Sequence, residues 1–176
     1  MTNGYDRKLV EILQAKEDRA LRQKELLNRY SSALISFALN IPGPDKDTSI
    51  YRKVHEEGMK ALKREIIEQA GDILHEEINY RAAGQEGFLC VKMDAAVMKA
   101  ITVKIEEEHP MGRLFDMDVI NTAGIPVGRM DVGHRERKCL LCDEKAVVCS
   151  RSKRHPLNEL LQKIHELIEK HNFLIR

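Results

Sequence analysis

The chain has no tryptophan, only four tyrosines and four phenylalanines among 176 residues, and no excess of either charge. Scarce aromatics remove the stacking platforms that hold single-stranded nucleic acid. Lysine and arginine total 29 against 28 aspartates and glutamates, so no global field draws the chain to a polyanion or a membrane surface. An anionic ligand must be held by local clusters of Arg and Lys. No apolar run approaches the roughly 20 residues needed to span a bilayer. Met1 to Arg7 lacks a basic stretch followed by an apolar one, so no secretory signal is expected there. The cysteines are Cys90, Cys139, Cys142 and Cys149. Without an export signal they are expected as reduced thiols in a reducing compartment, which fits a bacterial cytoplasm.

What is present is ordinary for a folded protein: 43% hydrophobic and 32% charged residues. The length fits one domain with a proper core, and no repeat, low-complexity tract or linker divides it. Within residues 1–176 we expect an N-terminal helix (1–30), an α+β core (31–131) and a cysteine-containing loop with a C-terminal helix (132–176).

Leu9, Ile12, Leu13, Ala20, Leu26 and Leu27 recur at helical spacing through Asp6 to Arg29 and predict an amphipathic helix. Ser32 to Leu39 is apolar, bounded by Ile41-Pro42-Gly43-Pro44, and predicts a buried strand. Thr48 or Ser49 caps a helix through Gln69, with Val54, Ala61, Leu62, Ile66 and Ile67 on its inner face. Alternation predicts a strand over Asp72 to Tyr80, then a turn at Ala82 to Gly87 and a strand at Phe88 to Met93. Ala95 to Glu108 is read as a helix, although Ile101, Val103 and Ile105 also alternate. Strands are expected at Leu114 to Ile120 and Ile125 to Met130, and Pro156 opens a last helix carrying Leu160, Leu161, Ile164 and Ile168. The middle therefore reads β-α-β-β-α-β, the order of a ferredoxin-like sheet, with helices added at both ends.

In Leu114-Phe115-Asp116-Met117-Asp118-Val119-Ile120, alternation puts Asp116 and Asp118 on one face with Leu114, while Phe115, Met117 and Val119 turn to the core. Two carboxylates about 7 Å apart on a strand repel each other unless a cation lies between them. A hard divalent ion such as Mg²⁺ suits that pair, because it takes oxygen ligands and leaves room for substrate phosphates. Aspartate is a poor strand residue, and two in so apolar a segment favour a site over a plain solvated edge. Farther on, Cys139-x₂-Cys142-x₆-Cys149-x₅-His155 offers three thiolates and an imidazole, enough for a closed structural zinc site. The second half is not a standard finger spacing, and a set of reduced thiols is the alternative. Cys90, on a strand, reads as core.

The run His109-Pro110-Met111-Gly112-Arg113-Leu114-Phe115-Asp116-Met117-Asp118-Val119 resembles the central motif of the citrate lyase holo-acyl-carrier-protein synthases, also called apo-citrate lyase phosphoribosyl-dephospho-CoA transferases. Glu17-Asp18-Arg19 with Arg22-Gln23, Ile41-Pro42-Gly43-Pro44-Asp45-Lys46-Asp47, and Arg137-Lys138-Cys139-Leu140-Leu141-Cys142 followed by Cys149 agree in order. The resemblance implies a nucleotidyltransferase-type reaction. Its donor would be 2′-(5″-triphosphoribosyl)-3′-dephospho-CoA, its acceptor a serine of the apo acyl carrier protein (the gamma subunit) of citrate lyase, and its leaving group diphosphate. The Asp-x-Asp pattern also resembles the metal-binding pair of the wider nucleotidyltransferase superfamily. The Gly-Ser pair found some ten residues upstream in that superfamily is missing here.

Such chemistry asks the protein mainly for positioning and charge stabilisation. Asp116 and Asp118 are the expected Mg²⁺ ligands. Asp131 is read either as a third ligand or base for the serine hydroxyl, or as a plain turn aspartate. Arg113 is a candidate phosphate clamp, and Arg19, Arg22, Lys46 and Arg129 are further phosphate candidates. His109 would protonate the leaving diphosphate or serve the turn structurally. One rival is a small zinc-stabilised module in which Arg135, Arg137, Lys138, Lys145, Arg151, Lys153 and Arg154 touch nucleic acid or protein. A second is a hydrolase passing the same phosphoryl group to water.

Overall fold

The computed structural model describes residues 4–81 and 83–172; Ala82, the side chains of residues 4–9 and Ile12, and both ends lie outside the described residues. The elements are α1 (Gly4–Tyr30), β1 (Ala33–Leu39), α2 (Ser49–Glu68), β2 (Asp72–Arg81), β3 (Gly84–Lys92), α3 (Ala95–Glu108), β4 (Phe115–Ile120), β5 (Pro126–Val127), α4 (Ala146–Ser152) and α5 (Leu157–Lys170). Short 3₁₀ turns cover Gly112–Leu114 and Met130–Val132. Two helix starts are written in side chains. Thr48 Oγ1 accepts from the Tyr51 amide at 3.2 Å, and Asp94 Oδ1 accepts from Ala96 at 2.8 Å and Val97 at 3.2 Å. The Asp94 cap decides the ambiguous segment that follows in favour of a helix.

The strands form one sheet in the order β2-β3-β1-β4-β5, every neighbouring pair antiparallel. The chain is therefore mixed α+β. Alternation sorts each strand onto two faces. Ile35, Phe37, Leu89, Val91, Phe115, Met117 and Val119 join Val54, Leu62 and Ile66 of α2 and Met98, Ile101 and Ile105 of α3 in the main core. Approach is close at Gly58 of α2, where a Cβ would come within 2.5 Å of the Phe37 ring. On the opposite face Leu34, Phe88, Cys90 and Ile120 pack against Leu26 of α1 in a second, smaller core. That face turns polar toward the C-terminal end of β1: Ser36 lies opposite Asp118, and Ala38 opposite both Asp116 and Glu86. The acidic pair is thus on the same sheet face as α1.

Several sequence expectations change. The hairpin is tighter than expected: Arg81 pairs with Gly84, whose φ of +117° suits glycine, and β3 begins there instead of at Phe88. Leu114 is buried in the 3₁₀ turn and does not share the face of the carboxylates. The strand expected over Ile125 to Met130 shrinks to Pro126–Val127, because Asp131 and Met130 belong to a turn. Leu13 and Ile67 are exposed, not inward-facing. Helix α4 was not anticipated. Among the described residues no helix is long and apolar enough to cross a membrane.

Candidate active site

The site is built on the free half of β4. Strand β5 pairs only with Val119 and Ile120, which leaves the outer backbone of Phe115 to Met117 without a strand partner. Side chains take the place of that partner. Glu106 Oε1 accepts from the Met117 amide at 2.8 Å, Lys99 Nζ donates to the Met117 carbonyl at 3.0 Å, and Arg137 Nη2 donates to the Phe115 carbonyl at 2.6 Å. Buried Glu106 is the hub: its Oε2 also meets Arg129 Nη2, and Arg137 Nη2 at 2.9 Å, while Arg129 Nη1 reaches Glu107 at 2.9 Å. Burial pushes the Lys99 ammonium below its ordinary range, opposed by Glu106, Asp118 and Asp116. These charges tolerate burial because each has partners.

Above this edge stand Asp116 and Asp118, solvent-facing between core residues. The pKa of Asp116 is raised, first by the surrounding protein and next by the Asp118 charge; Arg137 and then, after Glu106 raises it again, Arg19 pull it down. A cation beside the two carboxylates would relieve the repulsion between them. Two hollows meet at Asp116, and Asn40 lines both. One, of about 180 Å³, lies beneath α1 and carries Lys16, Arg19, Lys46 and Gln85. The other, of about 430 Å³, lies over the outer edge of β4 and carries Arg129, Met130, Glu136, Arg137 and Val147.

The expected site residues divide. Asp116, Arg19, Lys46 and Arg129 line the two hollows, Arg19 with its Nε on buried Glu86 at 2.7 Å, whereas Asp118, exposed on the same face opposite Ser36, lines neither. Arg22 is held by Glu77 and Glu25. Arg113 gives Nη2 to the carbonyls of Lys138 at 2.6 Å and Cys139 at 3.1 Å, so it ties down the cysteine loop. Asp131 Oδ2 accepts from the Gly128 amide at 2.7 Å, closes its own turn, and lines neither hollow. His109 is turned away. Its ring packs on Phe115 at 5.0 Å, a residue of the opposite sheet face, and its Nδ1 accepts from the Met111 amide at 3.1 Å. Burial lowers its pKa. Sequence reasoning missed Asn40, Lys99 and Glu106, and named Arg137 only within a family-like segment and a basic cluster, without a role. The signal for two of them was a polar stripe, Lys99, Thr102 and Glu106, at i, i+3 and i+7 of the helix.

The cysteine loop adjoins this wall. The ligand atoms of Cys139, Cys142, Cys149 and His155 all lie within 4.8 Å of one another, with Cys142 Sγ 3.5 Å from Cys149 Sγ and 3.3 Å from His155 Nε2. Despite its burial, the Cys139 thiol is held below its usual range by the amides of Leu141 and Cys142. Cys149 is pushed up to about 11 by burial and then by the neighbouring thiols. Four donors so close form a possible tetrahedral metal site. The Ala146 amide bonds the Arg137 carbonyl at 2.8 Å, which joins the loop to the second hollow.

Fold and site together describe a mixed α+β protein with a strand-borne acidic pair whose Asp116 opens onto two hollows lined by Arg and Lys, an arrangement suited to polyphosphate chemistry, beside a compact Cys₃His cluster. A sequence model of the family described as apo-citrate lyase phosphoribosyl-dephospho-CoA transferase matches residues 7–171. Transferases of that name from Escherichia coli O1:K1 and Shigella boydii serotype 18 are 35% identical over 158 residues, 90% of this chain and 86% of theirs. The chain belongs to the apo-citrate lyase phosphoribosyl-dephospho-CoA transferase family.

Proposed function

We propose that the protein transfers the 5-phosphoribosyl-dephospho-CoA group from 2′-(5″-triphosphoribosyl)-3′-dephospho-CoA to a serine of the apo acyl carrier protein of citrate lyase. The serine oxygen bonds to the phosphorus nearest the ribose, that phosphorus loses its bond to diphosphate, and the serine proton passes to solvent. The family match across residues 7–171 carries this reading. Asp116, shared by two hollows lined with Arg and Lys, suits such a reaction. We place the reaction in the cytoplasm, within a single domain. The β-α-β-β-α-β order and the strand order β2-β3-β1-β4 support a ferredoxin-like, nucleotidyltransferase-like sheet.

Asp116 and Asp118 would hold Mg²⁺: both offer oxygen only, and the Asp116 pKa is raised first by the surrounding protein and then by the Asp118 charge, a cost that a cation would offset. The ion supplies neutralisation of phosphate charge when bound. Arg19 and Lys46 on one side of Asp116 orient the phosphates electrostatically, and Arg137 and Arg129, held by Glu106 and Glu107, border its other side. The Cys₃His cluster would hold structural Zn²⁺, since three thiols and one imidazole fill its four positions. The test is mass spectrometry of apo carrier protein incubated with enzyme, donor and Mg²⁺. A mass gain of one prosthetic group, abolished by Asp116→Ala, is expected; no gain with the unaltered protein would sink the reading.

A further inference from the structure

We infer that the two hollows divide the reaction between them: the one beneath α1 receives the leaving diphosphate, and the one over the edge of β4 admits the acceptor serine with its carrier. The inference rests on the transfer reading above. Attacking and leaving oxygens lie roughly in line across a transferred phosphoryl group. A site that aligns them needs two openings on either side of the reacting phosphorus. The sheet supplies them. In the order β3-β1-β4, the first hollow extends from Asp116 over β1 to the β2–β3 hairpin at Gly84 and Gln85, and the second extends from Asp116 off the far edge of β4.

Charge tells the two apart. In the hollow beneath α1, Arg19 is matched by Glu86, but among the described residues no carboxylate lies within ion-pairing distance of Lys16 or Lys46. Lys46 is half-buried, and burial, together with Arg19 and Lys16, pushes its pKa down. A half-buried cation facing two others is relieved by an arriving anion. At about 180 Å³ the hollow suits a small anion and excludes a protein segment. In the other hollow both arginines are already bound by Glu106 and Glu107, and the Glu136 carboxylate is itself paired with Lys145. Little unmet positive charge is left there for a free diphosphate. Its mouth is apolar instead: Met130 is 69% exposed, Val147 44%, and neighbouring Val148 46%. Exposed apolar side chains grouped at the opening of a site mark where another protein seats.

Two measurements separate the sides. Titration calorimetry with inorganic diphosphate and Mg²⁺ needs no transfer, so it stands even if the carrier is never modified. Lys46→Met and Lys16→Met are each expected to weaken diphosphate binding about tenfold, the effect of losing one charge-assisted contact. Met130→Asp and Val147→Asp are expected to leave that binding unchanged and to raise KM for the carrier about tenfold with KM for the donor unaltered. All four side chains are at least partly solvent-facing, and matched melting temperatures will verify folding. Absence of diphosphate binding to the unaltered protein would overturn the assignment. So would diphosphate affinity that follows Arg129→Met but not Lys46→Met, or a carrier KM that moves with Lys46→Met and not with Val147→Asp. Failure of the unaltered enzyme to modify the carrier would instead strike the transfer reading.

Discussion

Arg137 donates from Nη2 to the carbonyl of Phe115 at 2.6 Å, one residue before Asp116, while its own carbonyl is held by the Ala146 amide of the cysteine loop at 2.8 Å. A single residue thereby links the cysteine loop to the acidic strand. Its guanidinium also lowers the pKa of Asp116 against the rise caused by the surrounding protein and Asp118. Arg137→Met is therefore expected to raise the Asp116 pKa further. The acid limb of kcat/KM should move to higher pH, because Asp116 must lose its proton to bind a cation. A pH–rate profile with an unmoved acid limb would refute the coupling. Arg137→Lys, which keeps charge but not the fork, should restore part of the limb position.

Metal at the cluster should matter for both fold and catalysis. Purified protein is expected to carry one zinc per chain by elemental analysis. Cys142→Ser should abolish that zinc and lower the melting temperature by about 5 °C or more. Activity should fall alongside, since Arg137 lies two residues before Cys139. A zinc-free protein with unchanged melting temperature and activity would contradict this.

How much of this was legible in the sequence depends on whether the signal was local. Strand alternation, the Asp94 and Thr48 caps and the Pro42-Gly43-Pro44 breaker are local chemistry, so the β-α-β-β-α-β order and the face of Asp116 and Asp118 could be read directly. Arg137 could not. Its role depends on a loop returning across 22 residues to a strand edge left open by the short β5. His109 misled for the opposite reason. It is near Asp116 in sequence, yet its ring follows Phe115 to the other side of the sheet. Asp131 is used up by its own turn, a local alternative that its sequence context allowed.

Asp116→Asn separates stability from function. The folded-state pKa of Asp116 lies above its ordinary value, so ionisation favours the unfolded state. The sign follows: the carboxyl contributes stability at low pH and loses it as pH rises through the folded pKa. Without Mg²⁺ at neutral pH, the neutral asparagine should give an equal or higher melting temperature. Transfer should drop at least about 10²-fold, as expected when a group stabilising transition-state charge is removed. Loss of activity accompanied by a clearly lowered melting temperature would mean that Asp116 is a structural residue.

Glu106 should behave in the opposite way. It is 4% exposed and holds the Met117 amide, Arg129 and Arg137 at once, with Lys99 on the adjacent carbonyl. Glu106→Ala removes a buried carboxylate from two part-buried arginines and an edge amide, a loss approaching the about 3–5 kcal/mol seen when one partner of a buried pair is removed. Urea unfolding should show that loss at unchanged m-value. Glu106→Gln can still accept from Met117 through its carbonyl oxygen but brings no charge to Arg129 and Arg137, so its cost should fall well below that of alanine. Lys99→Met supplies the complementary arm: it removes a buried cation whose pKa is already depressed by burial, and should destabilise less than Glu106→Ala. If Glu106→Ala unfolds at the same urea concentration as the unaltered protein, the side chains that replace a strand partner along β4 do not hold that edge.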